Sequence, residues 1–229
     1  MSLSADEISA AAVSLVCARR DAKPLNGFPA DVLQTLEDAY AIQMEAVRRW
    51  GGRIAGWKVG RLTGAWEKRF GINRFIGPIF ADTIQFAESG VTLPFPAIEG
   101  GSAAIESEIV ARLNQKVEPA LHGWTAQEAK GVVGALHIGI EVAGCAVPGI
   151  GNLGPLASIA AFGNNMGLIV GAQIADCPAP GADHLICKTQ IEGVGEFEGS
   201  TAGLPGGLFE AIAFALSTAS RLDITLPAG

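Results

Sequence analysis

Ile105-Glu106-Ser107-Glu108-Ile109-Val110-Ala111-Arg112-Leu113 is the stretch on which the reading of the fold turns. Ile105, Ser107, Ile109, Ala111 and Leu113 fall on one face, and Glu106, Glu108, Val110 and Arg112 on the other. A β-strand imposes that period of two and a helix cannot. Residues 136–142 alternate in the same way and put His137, Gly139 and Glu141 on a common face. Working outward, residues 54–59, 91–95, 168–170 and 191–197 read as further short strands, with Pro94 and Pro96 closing the second of these.

Helical periodicity is confined to a few places. Ser4-Ala5-Asp6-Glu7 is a capping box that opens a helix running to Arg20 along Ile8, Ala11, Ala12, Leu15 and Val16. After a loop over 23–29, a second helix is expected to start near Asp31. Its stripe is Val32, Leu36, Tyr40, Gln43, Met44 and Val47, with Arg48 and Arg49 in the last turn and Gly51-Gly52 as the stop. Thr125-Ala126-Gln127-Glu128 caps a short helix carrying Ala129, Val132 and Val133. A closing helix over 208–222 buries Phe209, Ile212, Ala213 and Leu216. Strand and helix do not alternate regularly, so a doubly wound sheet is disfavoured. The expected class is α+β: a mixed β-roll or distorted barrel (53–229) behind an N-terminal helical segment (1–52), all in a single domain over 1–229.

Composition narrows the function. Of 229 residues, 49% are hydrophobic and 17% charged, which is too apolar for disorder and points to a homo-oligomer that buries part of its surface. The net charge is -7 with no basic run, which disfavours nucleic acid and anionic membranes as partners. No stretch is long and apolar enough for a membrane span, and the N-terminus lacks a secretory pattern. Cys17, Cys145, Cys177 and Cys187 have no CxxC spacing and read as reduced, buried thiols of a cytoplasmic protein.

Glu106 and Glu108 leave one strand in the same direction, with backbones roughly 6.6 Å apart. Like charges so placed repel unless solvent or a cation screens them. A hard divalent ion would remove the repulsion, and all-oxygen ligands favour Mg²⁺ or Mn²⁺. Glu141, on another strand, would complete a three-carboxylate face. By spacing alone the commoner meaning of such a pair is a solvated face, on which Arg112 is an ion-pair partner for a glutamate.

Ala55-Gly56-Trp57-Lys58-Val59-Gly60, Phe70-Gly71-Ile72 and Gly77-Pro78-Ile79-Phe80-Ala81-Asp82 are followed by Ile105-Glu106-Ser107-Glu108-Ile109, Ile140-Glu141-Val142 and Gly163-Asn164-Asn165-Met166-Gly167-Leu168-Ile169-Val170-Gly171. In that order they resemble the 2-keto-4-pentenoate hydratase group of the fumarylacetoacetate hydrolase superfamily, a group that includes 4-oxalocrotonate decarboxylase. The resemblance implies the mixed β-roll and a Mg²⁺ or Mn²⁺ cofactor on Glu106, Glu108 and Glu141. It implies a small 2-oxo or 2-hydroxy-dienoic acid as substrate, met in aromatic-compound breakdown. The reaction would be a hydro-lyase one, addition of water to 2-hydroxypenta-2,4-dienoate to give 4-hydroxy-2-oxopentanoate.

The resemblance also implies roles for single residues. Lys58 matches an active-site lysine, for acid–base work or a substrate oxygen; by itself it reads as a strand-end lysine covering apolar surface. Asp82 would orient Lys58 or act on water, or else cap an Asp-Thr turn. Thr63 falls near the substrate in the family. Asn164 and Asn165 would offer amide donors to a substrate carboxylate, or form a turn before a strand. His137 reads as a packed, hydrogen-bonded residue, and His122 and His184 as loop residues.

Two departures stand beside the match. Ala161 takes a position where the family often has an acidic residue. The sequence also reaches Leu226-Pro227-Ala228-Gly229 without the further strand, Thr-Gly motif and closing strand that the resemblance implies, so the expected roll has its C-terminal strands missing, through natural shortening or through a tail left out of the sequence. Two rival readings follow. One is a decarboxylase or carbon–carbon hydrolase of the same superfamily; the other is a shortened, non-catalytic binding or partner subunit.

Overall fold

The computed structural model describes residues 2–28, 33–175 and 185–229. These fall into two compact units. The first comprises Met1–Gln85, Thr92–Glu106 and Glu141–Leu168; the second comprises Phe86–Val91, Ser107–Ile140 and Ile169–Gly229.

In the first unit, α1 (Ala5–Arg20) starts at the expected capping box, in which the Ser4 side chain accepts from Glu7 N–H and Glu7 reaches back to the cap. The second helix, α2 (Leu36–Trp50), starts later than the sequence reading put it. Thr35 is extended and its hydroxyl accepts from Asp38 N–H, so the cap fixes the first turn there; Asp31 and Val32 lie outside the described residues. Gly51 ends α2 in the left-handed conformation, which costs glycine little. Asp38 is almost fully buried at the start of α2. Burial works to raise its carboxyl, but hydrogen bonds from Ser2, Leu3 N–H and Thr35 outweigh burial and hold it low.

Strand β1 (Ile54–Arg61) pairs antiparallel with β2 (Arg74–Phe80), Lys58 standing opposite Gly77. Between them lies α3 (Ala65–Phe70). The buried Gln43 amide of α2 donates to the carbonyls of Ile76 (3.2 Å) and Ile159 (2.7 Å), and the Tyr40 hydroxyl accepts from Ile76 N–H at 3.0 Å. This unit's core gathers Leu15, Val16, Ile42, Phe75, Phe80 and Ile159 among others, and Trp50, Phe80 and Phe162 meet ring to ring.

Strand β3 (Ile84–Phe86) follows a 3₁₀ turn over Ala81–Thr83. It belongs to a four-stranded sheet ordered β3-β6-β5-β4, with β4 Ser102–Leu113, β5 Val133–Cys145 and β6 Asn165–Gln173. The alternating runs of the sequence are thus strands, longer at their ends than expected. Between β5 and β6 come two short helices that the sequence reading missed, α5 (Ile150–Leu153) and α6 (Pro155–Ala160); Pro155 at the helix start was their signal.

In the second unit, α4 (Ala126–Val132) has its expected capping box, and α7 (Gly207–Arg221) matches the closing helix. Val133, Leu136 and Leu208 form the unit's core with Ile109, Phe209 and Ile212 against them. Val117 and Leu226 form an antiparallel bridge, and Gly229 N–H donates to Leu113 O at 3.0 Å.

Two strand expectations are corrected. Residues 91–95 form no strand: Pro94 has no N–H to give, and its carbonyl accepts from the Gln85 side chain. Residues 191–197 straddle a hairpin turn, closed by Val194 N–H to Ile191 O, between β7 (Ile186–Ile191) and β8 (Gly195–Ser200). The cysteine expectation holds in part. Cys17, Cys145 and Cys187 are free, but Cys17 and Cys187 are exposed, and Cys177 lies outside the described residues. Burial pushes the Cys145 thiol up to about 11. Among the described residues no helix is long and apolar enough to cross a membrane.

Gly77 carries a packing constraint that reaches the site. A Cβ there would stand 2.5 Å from the Gly163 Cα, and one on Gly163 would stand 3.4 Å from the Lys58 side chain. Gly77→Ala is expected to lose about 1–3 kcal/mol in denaturant unfolding through overpacking against backbone. Unchanged stability would mean that the two backbone segments part easily.

Candidate active site

Strand β1 delivers Lys58, β4 delivers Glu106 and β5 delivers Glu141. The Lys58 ammonium lies 2.9 Å from Glu141 Oε2 and 3.9 Å from Glu106 Oε2. Its approach to Oε2 is that of an ion pair rather than a well-directed hydrogen bond, so this buried oxygen has charge beside it but no aligned donor. The other oxygen, Oε1, accepts from Asn165 Nδ2 at 2.9 Å.

Glu141 is 1% exposed and Asn165 0%, whereas about half of the Glu106 side chain is open to solvent. Burial raises the Glu141 pKa above its ordinary value. The charge of Lys58 and the hydrogen bond from Asn165 pull it back, while Glu106 adds to the rise. Glu108 stands two residues beyond Glu106 on β4, half-buried. With Glu106 and Glu141 it makes the group of acidic residues, among those described, whose chemistry suits a metal ion.

The remaining site candidates come from the turns after β1 and β2 and from the start of β6. Asn165 lies at the start of β6 and its amide nitrogen is given to Glu141, with a longer contact to Gly167 O at 3.4 Å. Asn164, at φ 59, has a buried Oδ1 without a partner, and Asn165 Oδ1 is buried and without a partner as well. Asp82 is exposed in the 3₁₀ turn after β2, where its charge favours the Arg19 guanidinium. Thr63 is exposed, and its carbonyl accepts from Trp66 N–H at the start of α3. Ala161 is buried in the core of the first unit, in surroundings where an acidic side chain would be desolvated.

His137 is hydrogen-bonded as the sequence suggested. Nδ1 lies 3.1 Å from Gly171 O, and since a carbonyl only accepts, Nδ1 carries the proton. His122 faces Glu128 at 3.6 Å; His184 lies outside the described residues. Sequence reasoning missed Arg19, in the last turn of α1, where a basic side chain ordinarily meets only the helix dipole. Its guanidinium instead donates to Asn165 O at 2.8 Å, inside a ring of aromatic side chains.

The sign of the Glu141 shift gives a test. A carboxyl raised above 4.5 in the folded state contributes stability that is present at pH below 4.5 and lost as pH rises through the raised value. Lys58→Met removes the positive charge, so in metal-free protein Glu141 is expected to titrate at still higher pH, followed through its carboxyl infrared band. A lower pKa in the variant would contradict the ion pair.

No known family pattern matches the chain, and no curated protein matches it. Solved structures do. 4-Oxalocrotonate decarboxylase from Pseudomonas putida G7, complexed with magnesium and adipate, is similar over 100% of this chain and 86% of its own, with a TM-score of 0.75 and 17% identity. Its complex with calcium and acetate gives the same values. Fumarylpyruvate hydrolase from Pseudomonas aeruginosa, in complex with Mn²⁺ and pyruvate, is similar over 78% of this chain and 75% of its own, with a TM-score of 0.52 and 17% identity. The chain has the fold of these enzymes, the mixed fumarylacetoacetate hydrolase-like fold, and the group suspected from its ordered motifs fits that fold.

Proposed function

We propose that this protein is a divalent-metal-dependent enzyme acting on small 2-oxo or 2-hydroxy-dienoic acids, with hydration of a 2-hydroxy-dienoate as its reaction. One observation carries the reading: a fully buried carboxylate, Glu141, oriented by Asn165 and accompanied by Glu106 and Lys58. Burying a carboxylate is costly unless its charge is met. Glu106, Glu108 and Glu141 offer hard oxygen ligands of the kind Mg²⁺ and Mn²⁺ take. Asn165 fixes one ligand oxygen as an outer partner should, and Glu141 Oε2 lacks an aligned donor. These residues fit the ion.

Bound there, the ion would supply a template and a Lewis acid for the substrate's carboxylate and 2-oxygen. The protein's own share is proton handling and orientation. Lys58, 10% exposed, holds its Nζ beside both carboxylates, where it can hold or pass a proton to a substrate atom. Asn165 keeps Glu141 in one rotamer, and Glu106 presents its carboxylate toward solvent. Asn164, with its unpartnered Oδ1, offers an acceptor for a substrate hydroxyl. Asp82 and Thr63, both exposed, remain candidates for activating water and for touching the substrate.

Decarboxylation of a related oxo acid is a second reading, favoured by the full-length likeness to 4-oxalocrotonate decarboxylase. The exposed Ile186, Val194 and Phe197 of the β7–β8 hairpin accord with a homo-oligomer, and the free thiols with a reducing compartment.

The test follows the ultraviolet band of 2-hydroxypenta-2,4-dienoate with Mg²⁺ or Mn²⁺ and identifies the product. Metal-dependent loss giving 4-hydroxy-2-oxopentanoate is expected. Carbon dioxide release from an oxo diacid in its place would give the second reading, and no turnover with either metal from folded protein would overturn both. Glu106→Gln is expected to lower metal affinity and activity together, whereas Lys58→Ala should lower kcat by 10²-fold or more, on the order expected for a positioned acid–base group, with metal affinity changed far less. A fully active Lys58→Ala would remove Lys58 from the chemistry.

A further inference from the structure

We propose that Arg19 is a positioning residue of the carboxylate site, clamping a strained turn that sets Asn165 and, through it, the orientation of Glu141. The inference rests on the reading of Glu141 as a ligand, but its geometry stands apart from that reading.

Three consecutive residues before β6 have left-handed backbone: Phe162 (φ 56), Gly163 (φ 68) and Asn164 (φ 59). Phenylalanine and asparagine adopt that conformation at a cost, and such strain persists only where the surroundings over-determine it. Arg19 meets the turn at both ends. Its guanidinium carbon lies 5.0 Å from the Phe162 ring centre, with Trp50 at 5.2 Å and Phe80 at 5.4 Å around it. Its nitrogens donate to Asn165 O at 2.8 Å and toward Met166 O at 3.5 Å, the first carbonyls after the turn.

A planar fork of donors is suited to gripping two successive carbonyls while its faces stack on rings, and lysine reproduces only part of that. Burying this cation lowers its pKa to about 10, chiefly through desolvation and against the charge of Asp82, so at neutral pH it stays charged and its donors stay in place. From Asn165 the path is direct: the same residue whose carbonyl Arg19 holds sends its Nδ2 to Glu141 Oε1. Lys58 then meets the other oxygen of that carboxylate. An arginine on the first helix thereby fixes a carboxylate on β5 without touching it.

The test needs no metal at its first stage. In ¹⁵N-labelled, metal-free protein the Asn165 side-chain amide hydrogens, fully buried on Glu141, are expected to exchange slowly with water. Arg19→Met, which fills the space without donors, should speed that exchange about tenfold or more, and Arg19→Lys by a smaller factor. Unchanged exchange in Arg19→Met overturns the proposal; should that variant fail to fold, unchanged exchange in Arg19→Lys overturns it. The second stage titrates Mn²⁺. Arg19→Met should bind about tenfold more weakly, as expected for loss of an outer-shell partner. Arg19→Met combined with Asn165→Ala should bind no more weakly than Asn165→Ala alone, because both act on one path. Fully additive losses would overturn the proposal. Wild-type protein that binds no Mn²⁺ would overturn the metal reading, while the exchange result would still judge Arg19.

Discussion

A carboxylate removed from water sets the terms for the first unit. Glu141 is 1% exposed, and a charge so placed must be met by other charges, hydrogen bonds or a proton. The chain answers with Lys58 from β1, the Asn165 amide from β6 and a second carboxylate, Glu106, on the solvent side. Hydrophobic packing alone has no need of such a group. The parts that look incidental, a glycine contact between Gly77 and Gly163 and a left-handed turn ahead of β6, serve to bring Asn165 and Lys58 to the carboxylate.

Much of this was legible in the sequence wherever one local rule acted alone. Alternation gave β4 and β5, and the two Ser/Thr-x-x-Glu boxes gave the starts of α1 and α4. The start of α2 and the 191–197 stretch were misread because competing local signals decide them: the Thr35 cap, and a turn around Gly193 between alternating residues. Glu106, Glu141 and Lys58 were named from the ordered motifs, and the structure brings them together. Arg19 was illegible for a physical reason. Its partners Asn165 and Phe162 lie far along the chain, and nothing local distinguishes a helix-end arginine that points to solvent from one that turns inward onto rings.

Asn165 shows how a residue's role depends on which atom is spent. The sequence suggested an amide facing substrate; the structure gives its nitrogen to Glu141 and leaves Oδ1 buried and without a partner. One side chain thereby orients a buried carboxylate and still holds an acceptor in reserve. The likeness to metal-bound enzyme structures gives the fold, and the carboxylates of this chain give the chemical reason to place an ion on it.

Everything proposed for the chemistry depends on these carboxylates forming a divalent-cation site. The most direct measurement is an anomalous difference map at the manganese edge from crystals grown with Mn²⁺. A single strong peak is expected, bonded by the carboxylates of Glu106, Glu108 and Glu141, beside the Lys58 ammonium. A map without a peak there, from crystals in which Lys58 still pairs with Glu141, would contradict it.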